Sequence, residues 1–135
     1  MRVLALDIGT KRIGTAVSDA TGILATPTGT IERNPEKKAV EKIKSLCGEY
    51  GVKTIVAGLP KNMNGTLGAQ AEDCMKFVKN FEEEYEIVFE DERLTSRQAE
   101  MTLAAVGKKY TKNKGLVDTQ SACIILQQYL DRTGR

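Results

Sequence analysis

Val3-Leu4-Ala5-Leu6-Asp7-Ile8-Gly9-Thr10-Lys11-Arg12-Ile13-Gly14-Thr15-Ala16-Val17-Ser18 is the stretch from which the fold can be read. It opens with an unbroken run of small and aliphatic residues, as in a strand buried on both faces, and that run ends in a carboxylate. An isolated carboxylate entering an apolar setting loses hydration it cannot spare unless a cation or hydrogen-bond donors meet it. Asp7 therefore either merely ends a strand or has a task there, and its neighbours favour the task. Gly9 and Gly14 bracket a turn, after which residues 13–18 read as a second strand. The pattern predicts an antiparallel hairpin whose tip lies beside Asp7. Acid, glycine-rich backbone and the cations Lys11 and Arg12 then share one edge.

Two phosphate-binding motifs can be tested against this stretch. Gly9 and Gly14 have the spacing of the first two glycines of a P-loop, but Thr15 and Ala16 stand where that motif needs Lys followed by Ser or Thr. Asp7-Ile8-Gly9-Thr10 also resembles the first phosphate motif of actin-like ATPases and sugar kinases. Those proteins bind nucleotide between two domains, and 135 residues are too few for both.

A chain of this length, 41% apolar, is expected to form one domain, residues 1–135, with a substantial core. No apolar run approaches the roughly 18 residues of a membrane span. The first strand starts at residue 2 without a basic leader before it, so a soluble cytoplasmic protein with no membrane partner is expected. Cys47, Cys74 and Cys123 are dispersed and each falls in an apolar helical pattern, which suits reduced core thiols rather than a disulfide framework or a zinc site. Histidine is absent, which removes imidazole as base or ligand and with it Ser-His-Asp and Cys-His chemistry. Carboxylates and metal ions remain. The net charge of +2 says little about partners, but its distribution says more. Residues 82–92 are acidic, whereas Lys108, Lys109, Lys112 and Lys114 surround Tyr110. That basic run is either a solvated loop or a surface that meets a phosphate backbone.

After the hairpin, residues 22–31 can supply a third strand, and Pro27 and Gly29 place it at a sheet edge. Asn34 is a natural N-cap with Pro35 at the first helical position, and Ala39, Val40, Ile43, Leu46 and Cys47 recur at helical spacing until Gly51. Residues 54–58 read as a buried strand parallel to the first, ended by Leu59-Pro60 and a polar loop. An amphipathic helix is expected over 70–84 and a further parallel strand over 86–90, closing in Glu90-Asp91-Glu92-Arg93. Thr95 and Gln98 fit a capping box for a following helix. Val117-Asp118 opens the last helix, whose apolar stripe is Ala122, Ile125, Leu126 and Tyr129. If residue 118 is already helical, the carboxylate shares that stripe; the competing reading is a plain N-cap.

With strands one, four and five parallel, Asp7, residues 58–60 and Glu92 emerge at one carboxyl edge, where open α/β sheets bind ligands, and the last helix can bring Asp118 there. Asp19 follows the antiparallel strand and belongs to the opposite edge. Converging carboxylates without nitrogen or sulfur ligands suit Mg²⁺ or Mn²⁺, and two such ions about 4 Å apart would serve phosphodiester cleavage.

Asp7-Ile8-Gly9-Thr10-Lys11-Arg12-Ile13-Gly14, Gly58-Leu59-Pro60, Asp91-Glu92-Arg93-Leu94-Thr95-Ser96 and Val117-Asp118 through Ala122, Ile125, Leu126 and Gln127 resemble, in order, the YqgF (RuvX) family. The resemblance implies an RNase H-like α/β fold, a mixed five-stranded sheet flanked by helices, and a catalytic and metal site of Asp7, Glu92 and Asp118. Asp91 is the neighbour left open, since adjacent strand residues face opposite ways. The family is described both as a nuclease maturing the 5′ end of pre-16S ribosomal RNA and as a Holliday-junction resolvase, so nucleic acid is the implied partner, with precursor RNA favoured over branched DNA. A non-catalytic RNA-binding module on the same fold is the third reading. Lys11, Arg12, Arg93, Arg97, Lys108 and Lys109 would contact phosphates, and the chain is expected to be a monomer or a weak homodimer.

Overall fold

The computed structural model describes residues 2–60, 68–91 and 114–133, with side chains in the last segment from residue 120 onward. Strands β1 (Arg2–Ile8) and β2 (Arg12–Ser18) form the expected antiparallel hairpin, with Asp7 directly opposite Gly14. β3 (Ala25–Glu32) pairs antiparallel with β2, whereas β4 (Val52–Leu59) and β5 (Glu86–Asp91) add parallel to the other side of β1. The result is one mixed sheet of order β3-β2-β1-β4-β5. The helices among the described residues are α1 (Glu36–Tyr50), α2 (Ala69–Val78) and α3 (Lys114–Thr133).

Strand alternation sorts the core onto two faces. Leu4, Leu6, Ile8, Ile55, Ala57 and Leu59 point to the side covered by α1 and α2, where Ile43, Cys47, Cys74 and Phe77 meet them. Ala5, Ala16 and Val56 point the other way and are covered by α3 through Ala122, Ile125, Leu126 and Leu130. β1 is the central strand, so it is buried on both faces, as its unbroken apolar run requires. Asp7 has the parity of Ala5 and thus the α3 face.

Several boundaries differ from the sequence reading. β3 starts at Ala25 rather than residue 22, because the Asp19 carboxylate takes the segment before it into a turn. It accepts the Thr21 hydroxyl at 2.9 Å and the Ile23 and Leu24 amides at 3.0 and 3.4 Å, with Gly22 at φ 74°. β3 is the edge strand expected, and the register slips beside Pro27, with Gly29 at φ 105°. Pro35, not Asn34, occupies the N-cap of α1; Gly51 closes that helix in the left-handed region as expected, its N–H on the Cys47 carbonyl. α2 stops at Val78 instead of residue 84. There the Asn80 amide caps the Phe77 carbonyl at 2.8 Å and the chain turns so that Phe81 is fully buried. The helix proposed after Thr95 lies outside the described residues.

α3 begins at Lys114, so Asp118 stands inside the helix and the N-cap reading falls. Position 118 precedes Ala122 by four and Ile125 by seven, which is the spacing of one helix face. All three cysteines are free thiols, Cys47 and Cys74 buried and Cys123 half-buried. Among the described residues no helix is long and apolar enough to cross a membrane.

Candidate active site

The site is built on the carboxyl end of β1. Asp7 is half-buried there, with Gly14 opposite on β2. On the other side Leu6 aligns with Ala57, so the next residue of β4 in that row is Gly58. Neither neighbour brings a side chain against the carboxylate. Gly58 aligns in turn with Glu90 on β5. Asp7, Gly58 and Glu90 thus run across one row on the α3 face, β5 being about 10 Å from β1.

Glu90 is 3% exposed and is held by α3: Gln128 donates to it at 3.0 Å, and Arg132 forms an ion pair with its other oxygen. That pairing raises the Arg132 guanidinium above its ordinary value. At the opposite corner, Gln127 accepts the Ala25 N–H at 3.0 Å and donates to the Ile23 carbonyl at 2.8 Å. α3 is therefore fastened to both edge strands while it covers the centre of the sheet.

Gly9, immediately beyond β1, makes the hairpin tip tight. Its N–H donates to the Arg12 carbonyl at 2.9 Å, and a Cβ at this position would stand 2.7 Å from the same oxygen. Lys11 projects from the tip and is exposed; Arg12 is half-exposed and begins β2. From behind, on the α2 face, Arg33 grips the tip. Its backbone N–H donates to the Lys11 carbonyl at 2.9 Å and its guanidinium to the Gly9 carbonyl at 2.9 Å. The same guanidinium forks onto Asp73 of α2 at 2.6 and 2.8 Å and lies over the Phe77 ring, 5.2 Å from its centre. Asp73 holds Arg33 above its ordinary value and Arg33 holds the Asp73 carboxyl below its own, each chiefly through this hydrogen-bonded pair. Cys74 adds a weak Sγ contact to the Ile8 carbonyl at 3.7 Å.

The structure thus places Asp7, Lys11 and Arg12 at one sheet edge. It puts Asp118 on the helix that covers Asp7's face, without describing that side chain. Glu92, Arg93, Arg97, Lys108 and Lys109 lie outside the described residues. Asp91 aligns with Leu59 and so has the parity of the α1 and α2 face, opposite to Asp7. Asp19 lies at the far edge, beside Ser18, whose hydroxyl accepts the Val3 N–H at 2.8 Å. Arg33 and Asp73 were not singled out from the sequence. The available signal was parity: Arg33 follows buried Ile31 by two, and Asp73 precedes Phe77 by four.

A mixed sheet of this order, with an acid ending its central strand and helices on both faces, is an RNase H-like fold. The solved structures agree: the fowlpox virus resolvase in complex with Holliday-junction DNA superposes with a TM-score of 0.60 at 12% identity, covering 100% of both chains. RuvC of Thermus thermophilus with its junction substrate gives 0.56 at 12% identity, covering 100% of this chain and 98% of that one. These are likenesses of fold. The chain belongs to the RuvX family, described as Holliday junction resolvase, which matches residues 1–132. Among its relatives, a protein of Clostridium kluyveri named "Putative pre-16S rRNA nuclease" is 45% identical over the whole of both chains. One of the same name from Thermoanaerobacter pseudethanolicus is 44% identical over 97% of this chain and 96% of its own.

Proposed function

We propose that the chain, residues 1–135 acting as one cytoplasmic nuclease domain, is a divalent-metal-dependent phosphodiesterase that trims the 5′ end of precursor 16S ribosomal RNA. The observation that carries this is Asp7: a carboxylate at the carboxyl end of the central strand, flanked by glycines, on the face that the helix bearing Asp118 covers. Glu92 is the third acid of the reading. Along β5, Val88 packs on the α3 face and Glu90 bonds to α3; Glu92 follows in the sequence, outside the described residues.

The donor set fits Mg²⁺ or Mn²⁺. It consists of oxygens alone, the chain has no histidine, and Cys74 sits behind the sheet against the Ile8 carbonyl. Asp7, Glu92 and Asp118 would hold the ions, which supply activation of water and charge balance at the leaving oxygen. Lys11 and Arg12 at the hairpin tip, with Arg93, Arg97, Lys108 and Lys109, neutralise the phosphates flanking the scissile bond. Precursor ribosomal RNA is favoured as substrate by the names of the full-length relatives. Branched DNA is the second reading, favoured by the family description and the fold's likeness to junction resolvases. A monomer or weak homodimer is the working form.

The test is a side-by-side assay with Mg²⁺ or Mn²⁺ of a pre-16S leader RNA and a four-way DNA junction, for the unaltered protein and Asp7→Asn. Cleavage of the RNA that disappears in Asp7→Asn, with the circular dichroism spectrum kept, is the expected result. Cleavage of the junction alone selects the second reading. If neither is cut while the leader RNA still binds, the nuclease reading fails and an RNA-binding module replaces it.

A further inference from the structure

We propose that Arg33 and Asp73 are positioning residues that set the metal-binding end of β1 from behind the sheet. This rests on the nuclease reading above. The hairpin tip follows Asp7 directly, and its backbone oxygens are the handles: Arg33 takes the Gly9 carbonyl through its side chain and the Lys11 carbonyl through its amide. A guanidinium that must reach a carbonyl in one direction and two carboxylate oxygens in another has one orientation. Asp73 fixes the fork, and Phe77 fixes the plane. The Arg33 side chain is 10% exposed and that of Asp73 44%, so the cation is sequestered while the anion reaches solvent at the back of the molecule.

The clamp's contacts are with the Gly9 and Lys11 carbonyls, Asp73 and Phe77, behind the sheet from the Asp7 face. Its effect is on where the carboxylate stands: Asp7 is two residues from Gly9, and Gly9 is tied both to Arg12 across the turn and to Arg33 behind it. Freeing the Gly9 carbonyl leaves the tip held by its own turn, by the Arg33 N–H on the Lys11 carbonyl and by the weak Cys74 contact, none of which restrains the Gly9 carbonyl itself. Small displacements of a ligand suffice to lower metal affinity and turnover while leaving phosphate contacts on Lys11 and Arg12 in being.

The experiment uses the full chain with Arg33→Met, which keeps an apolar stem over Phe77 but no fork, Arg33→Lys, which keeps the charge without the fork, and Asp73→Asn, a milder change at a half-exposed position. Mn²⁺ binding is read by calorimetry, and kcat and KM are read on the leader RNA. Expected for Arg33→Met is a loss of about tenfold in Mn²⁺ affinity and in kcat, with KM moving less than about twofold. Arg33→Lys should fail to restore either, and Asp73→Asn should shift both in the same direction by less. Folded variants that bind Mn²⁺ and turn over as the unaltered protein does would overturn the proposal, even if their melting temperatures fall, because the clamp would then be structural only. Should Arg33→Met not fold, Asp73→Asn decides by the same readouts. If the unaltered protein binds Mn²⁺ but cuts no nucleic acid, the nuclease reading falls and Mn²⁺ affinity alone decides the clamp. Absence of Mn²⁺ binding in the unaltered protein refutes both.

Discussion

Gly9→Ala puts the tightness of the hairpin tip to a numerical test. The added Cβ would stand 2.7 Å from the Arg12 carbonyl oxygen, where ordinary contact begins at 3.4 Å, so something must move by about 0.7 Å. The oxygen has little room to retreat. It accepts the Gly9 N–H, Arg12 is in register with Glu32 on β3, and the adjoining Lys11 carbonyl is held by Arg33. Overpacking at a closed site costs about 1–3 kcal/mol, and loss of the hydrogen bond adds about 1 kcal/mol, against a total stability of roughly 5–15 kcal/mol. The variant should therefore fold but with a urea midpoint lowered by an equivalent of about 2–4 kcal/mol at unchanged slope. Gly48→Ala supplies the control of opposite sign. It lies within α1, its Cβ would meet nothing within 4 Å, and alanine there should stabilise by about 0.5–1 kcal/mol. A Gly9→Ala midpoint within about 0.5 kcal/mol of the unaltered protein, or a Gly48→Ala that destabilises equally, would refute the reasoning.

The Arg33 fork holds the Asp73 carboxyl below its ordinary value, so the stabilisation it brings is present well above that ordinary value and is lost as pH falls through the lowered folded-state value. Urea midpoints followed from about pH 5 down to 2 should fall less steeply for Asp73→Asn than for the unaltered protein. Ile125 is fully buried between α3 and the β1–β2–β4 surface, and Ile125→Ala should cost about 2–5 kcal/mol by urea unfolding. Burial pushes the Cys47 and Cys123 thiols up to about 11, so at about pH 8 a disulfide-exchange reagent should label them slowly unless urea is present. Rapid labelling of both in native buffer would show that their surroundings open.

The sheet was legible because its signals are local. An apolar run without alternation gave the central strand, glycine pairs gave the hairpin, and intervening helices gave the parallel strands β4 and β5. The boundaries that moved did so where a side chain competes with the backbone pattern: Asp19 gathering three donors before β3, and Asn80 capping the end of α2. Asp7 stood out because a carboxylate in a buried run needs a reason. Asp118 was ambiguous because aspartate suits both a cap and a helix interior, and only the start of α3 at Lys114 separates them. Arg33 with Asp73, and Glu90 with Arg132, had no comparable signal. Their partners are 40 and 42 residues apart, and nothing in either neighbourhood names the other.

The placement of α3 bears on how the molecule comes into being. Ala5, Ala16 and Val56 belong to strands that are synthesised before the helix that shields them. A ribosome-bound fragment extending through β5 thus displays a bare greasy sheet surface, an obvious target for chaperones or for sticking to a sibling fragment. That same later helix carries Asp118, so if Asp118 is a metal ligand, burial of the naked surface and arrival of that acid are one event. Unfinished copies would then be unable to cut RNA.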